Sequence, residues 1–199
     1  MDMEPIEQLD VVQANAQRVI SRLMPDHMGL SCPCEGWDVA MLVDKMVTSA
    51  VLFGTSCRGA EPRDDVNLLF PEPIGRDDPA GSFAAAASAC RDAFEQSRLE
   101  GEMMGPLGVM VPRRAGLDVR MTDCTVNTWD LAVAIGVDHG IDTDVAVSLA
   151  EFGRGFFPKV RQRQDHARFG EPLEVSDGHP VVELIALTGR DPNWSASAA

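Results

Sequence analysis

An apolar repeat at helical spacing, cut into lengths by proline and glycine, limits this chain more than any other feature. In residues 5–24, Ile6, Leu9, Val12, Ala16, Val19, Ile20 and Leu23 fall every three or four positions, the spacing of one helix face. Pro5 suits a first helical turn, and Pro25 and Gly29 close the segment. Asp38 has the chemistry of an N-cap for a second helix reaching about Phe53. A third helix is expected from about Pro79 to Gln96, with Phe83, Ala87, Cys90 and Phe94 on one face. A fourth is expected from about Leu117 to Ile135, closed by Gly136, and a fifth from about Thr143 to Gln162. Pro180–Thr188 reads as a short helix with Ser176 or Asp177 near its start. Residues 54–77, rich in Gly, Pro and Asp, read as a long loop. The Gly- and Met-rich stretch 101–116 leaves room for one or two short strands around Gly108–Val111, and residues 172–175 read as extended. The sum is an all-α chain, with four main helices long enough for an up-and-down four-helix bundle and a short C-terminal extension. One domain is expected over 1–199, with a frayed tail at 195–199.

Composition narrows the partners. Lys and Arg number 17 against 31 Asp and Glu, a net charge of −14 over 199 residues. Phosphate backbones are bound mainly by Lys and Arg, so a nucleic-acid partner is not expected, and an anionic membrane surface is disfavoured for the same reason. The most apolar stretch, Val39–Phe53, is broken by Asp44 and Lys45 and falls short of the roughly 20 apolar residues of a spanning helix. The acidic start MDMEPIEQLD lacks a signal pattern, so a cytoplasmic protein is expected. The five cysteines, Cys32, Cys34, Cys57, Cys90 and Cys124, have no framework spacing and read as reduced thiols.

Three motifs carry a resemblance. Cys32-Pro33-Cys34-Glu35-Gly36-Trp37-Asp38-Val39 resembles the T-P-C-x-G-W-D-V signature of an actinobacterial family of DinB-like four-helix-bundle proteins. That family is akin to the N-terminal domain of mycothiol-dependent maleylpyruvate isomerase. Val126-Asn127-Thr128-Trp129-Asp130-Leu131-Ala132 is similar to the family's V-H-G-W-D-L-A, and Leu187-Thr188-Gly189-Arg190-Asp191-Pro192-Asn193-Trp194 to its closing L-x-G-R-D-P-x-W. The matches fall in order across nearly the whole chain, and they imply a DinB-like bundle.

The resemblance also implies a divalent-metal site built from a His on the second helix and an E-x-x-x-H pair on the fourth. Those positions fall on Lys45, Asp123 and Asn127. A protonated lysine has no lone pair to give, and the set is a poor trap for a first-row metal. The four histidines, His27, His139, His166 and His179, are scattered and do not rescue it. Neither a metal nor another cofactor is therefore expected. A lysine in place of the cation would pair with Asp123, and Asn127 would add a donor and an acceptor. Two accounts stay open: a structural ion pair filling a former metal site, and a working pocket in which Asp123, Lys45 and Asn127 do acid/base chemistry.

Around this trio, Trp37, Trp129, Asp130 and Met104 are candidates for contacting substrate. Asp130 stands seven residues after Asp123, on the same helical stripe, with a structural role as the alternative. Cys34 reads as a packing residue of its turn, and Cys124 points away from Asp123 into the helix packing. Arg154, Lys159, Arg161, Arg163 and Arg168 read as a solvated helix end, with a carboxylate or partner site as the other account.

Three functions fit. The first is a metal-independent enzyme of secondary metabolism acting on a small organic substrate, with an amine-bearing one as a candidate. It would cyclise, isomerise or condense an imine, as in a Pictet–Spengler-type closure. The second is the metal-requiring, mycothiol-dependent transferase or isomerase. The third is a non-catalytic small-molecule binder such as a self-resistance protein. The protein would act as a monomer or homodimer.

Overall fold

A computed structural model describes residues 3–60, 73–105, 108–162, 170–176 and 178–196. Part of the expected loop (61–72), Arg163 and Arg168 of the basic cluster, Asp177, and the last three residues of the expected frayed tail lie outside them.

The expected helices are present, with shifted ends. α1 spans Pro5–Ile20 and buries Leu9, Val12, Ala16, Val19 and Ile20. It stops short of residue 24 because Pro25 holds Met24 extended and then opens a 3-10 turn, Pro25–His27. The turn 32–37 is closed by a bridge between Ser31 and Asp38. The Asp38 side chain accepts from the Met41 N–H at 2.8 Å and caps α2, Val39–Cys57. α2 is long and apolar enough, by length and composition, to cross a membrane, yet most of it is buried inside the fold. α3 spans Pro79–Ser97 and is capped by Asp78.

Two glycines that read as punctuation lie inside helices. Gly54 lies inside α2, which runs on to Cys57, and a Cβ there would stand 3.0 Å from the Cys90 backbone of α3. Gly116 lies in α4, Arg113–Ala134, packed on the Met103 side chain, so α4 starts four residues before its expected position. The expected strands form one antiparallel hairpin, β1 (Glu102–Met104) with β2 (Met110–Pro112), in register Glu102 to Pro112. β2 runs directly into α4.

α1 packs on α3 and α4, and α2 packs on the same two helices, so the ring reads α1, α3, α2, α4. α5 (Thr143–Arg161) and α6 (Pro180–Leu187) pack on each other, and α5 leans on α4. α6 starts on a His179 cap rather than at Ser176. Residues 172–175 form no strand, and Leu173 N–H donates to the Ala186 carbonyl. α5 and α6 contribute Val145, Leu149, Leu184 and Ile185 to the same core as the bundle.

Candidate functional site

α4 carries Asp123, Asn127 and Asp130 at spacings of four and three, which places them along one helical stripe. Lys45 and Ser49, four apart on α2, face the upper part of that stripe. Lys45 Nζ lies 3.1 Å from Asp123 Oδ1 and donates to Asn127 Oδ1 at 2.8 Å. Ser49 Oγ donates to Asp123 Oδ2 at 2.6 Å. Arg120, one turn before Asp123 and 0% exposed, brings Nη1 to 3.6 Å from Asp123 Oδ2 and 3.4 Å from Ser49 Oγ. The side chains of Lys45 and Asp123 keep 17% and 19% of their surface in solvent, while Asn127 is fully buried.

The electrostatics follow from these contacts. Burial alone would raise the Asp123 carboxyl. The Lys45 ammonium, then Arg120 and the Ser49 hydroxyl, outweigh it and hold the group down at about 2. Two cations, Lys45 and Arg120, meet one anion, Asp123, so the cluster carries one net positive charge. Among its buried groups Asn127 Nδ2 has no hydrogen-bond partner, whereas the Arg120 guanidinium also faces the Cys90 thiol. Lys45 has three N–H donors, two of which go to Asp123 and Asn127.

These residues do not fit the divalent ion that the resemblance implies. An ammonium lies against both candidate oxygen donors, and Asn127 Oδ1 already accepts from it. Among the described residues, no three His, Cys, Asp or Glu side chains gather as a metal would need.

A second polar group adjoins the first. Arg190, just after α6, grips Asp130 with Nε at 2.7 and 2.9 Å from its two carboxylate oxygens. Its Nη1 donates to Thr188 Oγ1 at 3.3 Å and its Nη2 to Cys34 Sγ at 3.6 Å. Cys34 Sγ in turn lies 3.5 Å from Asp130 Oδ2. The three motifs of the sequence therefore meet at one point.

Of the residues expected to contact substrate, Asp130 is 0% exposed and both its oxygens are held by Arg190. Trp129 lies about 200° around α4 from Asn127 and is a core residue at 4% exposure. Trp37 packs half-buried against the core from its turn. Met104 is half-buried in β1, a strand that packs on α2 and α4, and its neighbour Met103 is the fully buried one. Lys45, Asp123 and Asn127 are the residues brought together.

Sequence reasoning missed Ser49 and Arg120 as neighbours of the trio, and Cys34 and Arg190 as partners of Asp130. A signal existed for each. Ser49 is one turn from Lys45, Arg120 is one turn from Asp123, and Cys34 and Arg190 lie inside the quoted motifs.

No family model matches the chain. It is 28% identical over 193 residues to the uncharacterized protein Rv0738 of Mycobacterium tuberculosis strain H37Rv, covering 94% of this chain and 98% of that one. The match to the uncharacterized protein MT0763 of strain CDC 1551 has the same identity and coverage. Among solved structures, the crystal structure of a histidine-to-alanine mutant of mycothiol-dependent maleylpyruvate isomerase superposes with a TM-score of 0.58. That match has 16% identity and covers 75% of this chain and 69% of the other. The fold is the DinB-like helical fold of that isomerase.

Proposed function

We propose that this chain is an enzyme of the isomerase or transferase type. It acts on a small organic substrate at Lys45, Asp123 and Asn127 without a resident metal or organic cofactor. One observation carries the reading: Lys45 is partly exposed, held on two sides by Asp123 and Asn127, and has a third N–H left to donate. An oriented ammonium in a largely buried site stabilises negative charge that develops on a substrate oxygen, such as that of an enolate. The likeness of the fold to an isomerase supports the reaction type.

The division of labour differs from a simple proton shuttle on Asp123. With its pKa near 2, Asp123 is ionised at neutral pH and a weak base, so its role is to fix Lys45. The net positive charge and the remaining Lys45 N–H favour a substrate presenting oxygen acceptors. They oppose an amine, which favours isomerisation over imine condensation. The metal-requiring, mycothiol-dependent alternative needs ligands that the site's donor set does not supply.

The test follows the loss of α-protons from a panel of 2-oxo and unsaturated acids in D2O by proton NMR. Exchange or isomerisation is expected to persist after chelator treatment and to fall by about 10²–10³-fold in Lys45→Met, the usual worth of one oxyanion donor. Activity lost to chelator and restored by zinc would establish the metal-dependent alternative. No turnover and no binding across the panel would leave the cluster as a structural ion pair.

A further inference from the structure

The turn between α4 and α5 is tied to α1 through its backbone. Asn15 Nδ2 donates to the His139 carbonyl at 2.9 Å, and Arg18 Nη2 donates to the Asp138 carbonyl at 2.9 Å. Gly140 lacks the Cβ that would meet the Arg18 guanidinium, so the turn lies close against α1. Within the turn, the Gly140 N–H donates to Asp138 Oδ1 at 3.0 Å and the Ile141 N–H to His139 Nδ1 at 3.1 Å. Ile141 is a core residue at 8% exposure, one position before the Asp142 cap of α5. The half-buried His139 ring therefore holds the last link of the turn before α5 begins.

An imidazole accepts at Nδ1 only while that nitrogen carries no proton, and an imidazolium donates at both nitrogens. Proton uptake would set a new donor against the Ile141 N–H. Charged groups face the ring from three sides: Asp138 in its own turn, Arg18 on α1 and His179 at the start of α6. At the start of α5, the Asp142 carboxylate accepts from the N–H groups of Asp144 and Val145. Burial pushes the His139 imidazole below its ordinary range. Asp138 opposes this, and His179 and Arg18 add to it. A separate observation lies beneath the turn. Val12, Asn15, Thr125, Ile141, Asp142 and Val145 line a small cavity, about the size of one water. The Thr125 hydroxyl, on a residue only 3% exposed, has no hydrogen-bond partner there.

We propose that His139 is a proton-operated latch: on protonation the 138–142 turn loosens from α1, the start of α5 lifts from the bundle, and water reaches the Thr125 hydroxyl. The direction follows from linkage. The folded value lies below the ordinary 6.5, so the stability that the latch contributes is complete above about pH 6.5 and is lost as pH falls through the folded value. The Lys45, Asp123 and Asn127 contacts join α2 to α4 and do not involve this turn, so the latch is independent of the function proposed above.

The test uses the full-length protein. Proton NMR follows the titration of the His139 ring, and amide hydrogen exchange gives the protection factor of Ile141 at about pH 7 and about pH 5. His139 is expected to titrate below 6.5, and Ile141 protection to fall by about 5-fold between the two conditions. His139→Asn keeps a side-chain oxygen able to accept from the N–H two residues on and cannot titrate, so its Ile141 protection should be the same at both. His139→Ala should lose protection at both. A His139 midpoint at or above 6.5, native Ile141 protection that does not change with pH, an equal fall in His139→Asn, or full protection in His139→Ala would each overturn the proposal.

Discussion

Asp123 makes the energetics of the site measurable, because its carboxyl is lowered from 3.8 to about 2. The folded value lies below the unfolded one. Its stabilisation is therefore complete above about pH 4 and is lost as pH falls through the folded value near 2. The size is on the order of 2–3 kcal/mol. Urea unfolding of the native protein and Asp123→Asn is expected to show its widest gap near neutral pH and a narrow one near pH 2. A gap that does not change with pH would mean that the carboxylate gains nothing from its cations. The same alignment supports a constructive test. Lys45→His with Asn127→His would leave three ligands on facing helix surfaces around Asp123, the number that many zinc sites use. Calorimetric titration should then give about one zinc per chain in the double variant and none in the native protein.

At the scale of the helix, the same residue types meant different things in different places. Apolar periodicity located α1 to α6 because burial repeats with the helix turn, and Leu9, Val12 and Ala16 are as buried as their spacing implies. Gly54 and Gly116 misled the boundaries, because glycine marks a turn or a close approach and only the partner distinguishes the two. For Gly54 the partner is the Cys90 backbone at 3.0 Å, a contact between α2 and α3 that no local pattern announces. Gly54→Ala should therefore destabilise by about 1–3 kcal/mol despite its better helix propensity. Thermal denaturation followed by circular dichroism would register this as a lower Tm, and an unchanged or raised Tm would show that α3 yields freely. The candidate trio was legible from three aligned positions. Arg120 was not, because a lone arginine in a helix reads as solvated until a structure shows it buried.

Across the whole molecule, two arginine pairs of similar form differ in value. Arg154 reaches Glu183 with side chains 51% and 36% exposed, whereas Arg190 holds the fully buried Asp130. Arg154→Ala is expected to cost under about 1 kcal/mol and Arg190→Ala about 3–5 kcal/mol, since it strands a buried carboxylate. Equilibrium unfolding of the two variants side by side checks the contrast, and equal losses would mean that Asp130 finds water when Arg190 is gone. The charge pattern alone could not rank these pairs, because burial decides the ranking and burial belongs to the assembled fold.

The Arg190–Asp130 link also sets an order of events while the chain is made. Its partners are 60 residues apart. Synthesis proceeds from the N-terminus at about 5–20 residues per second, so roughly 3–12 seconds separate the two. During that interval α1 to α4 have all been synthesised, yet the carboxylate at their centre has no counter-charge. Until residue 190 is made, Asp130 lacks the ion pair that the folded structure gives it. Arg190 joins Asp130, Thr188 and Cys34, so this junction is complete only after residue 190 is made, whereas the Lys45–Asp123–Asn127 contacts need nothing beyond α4.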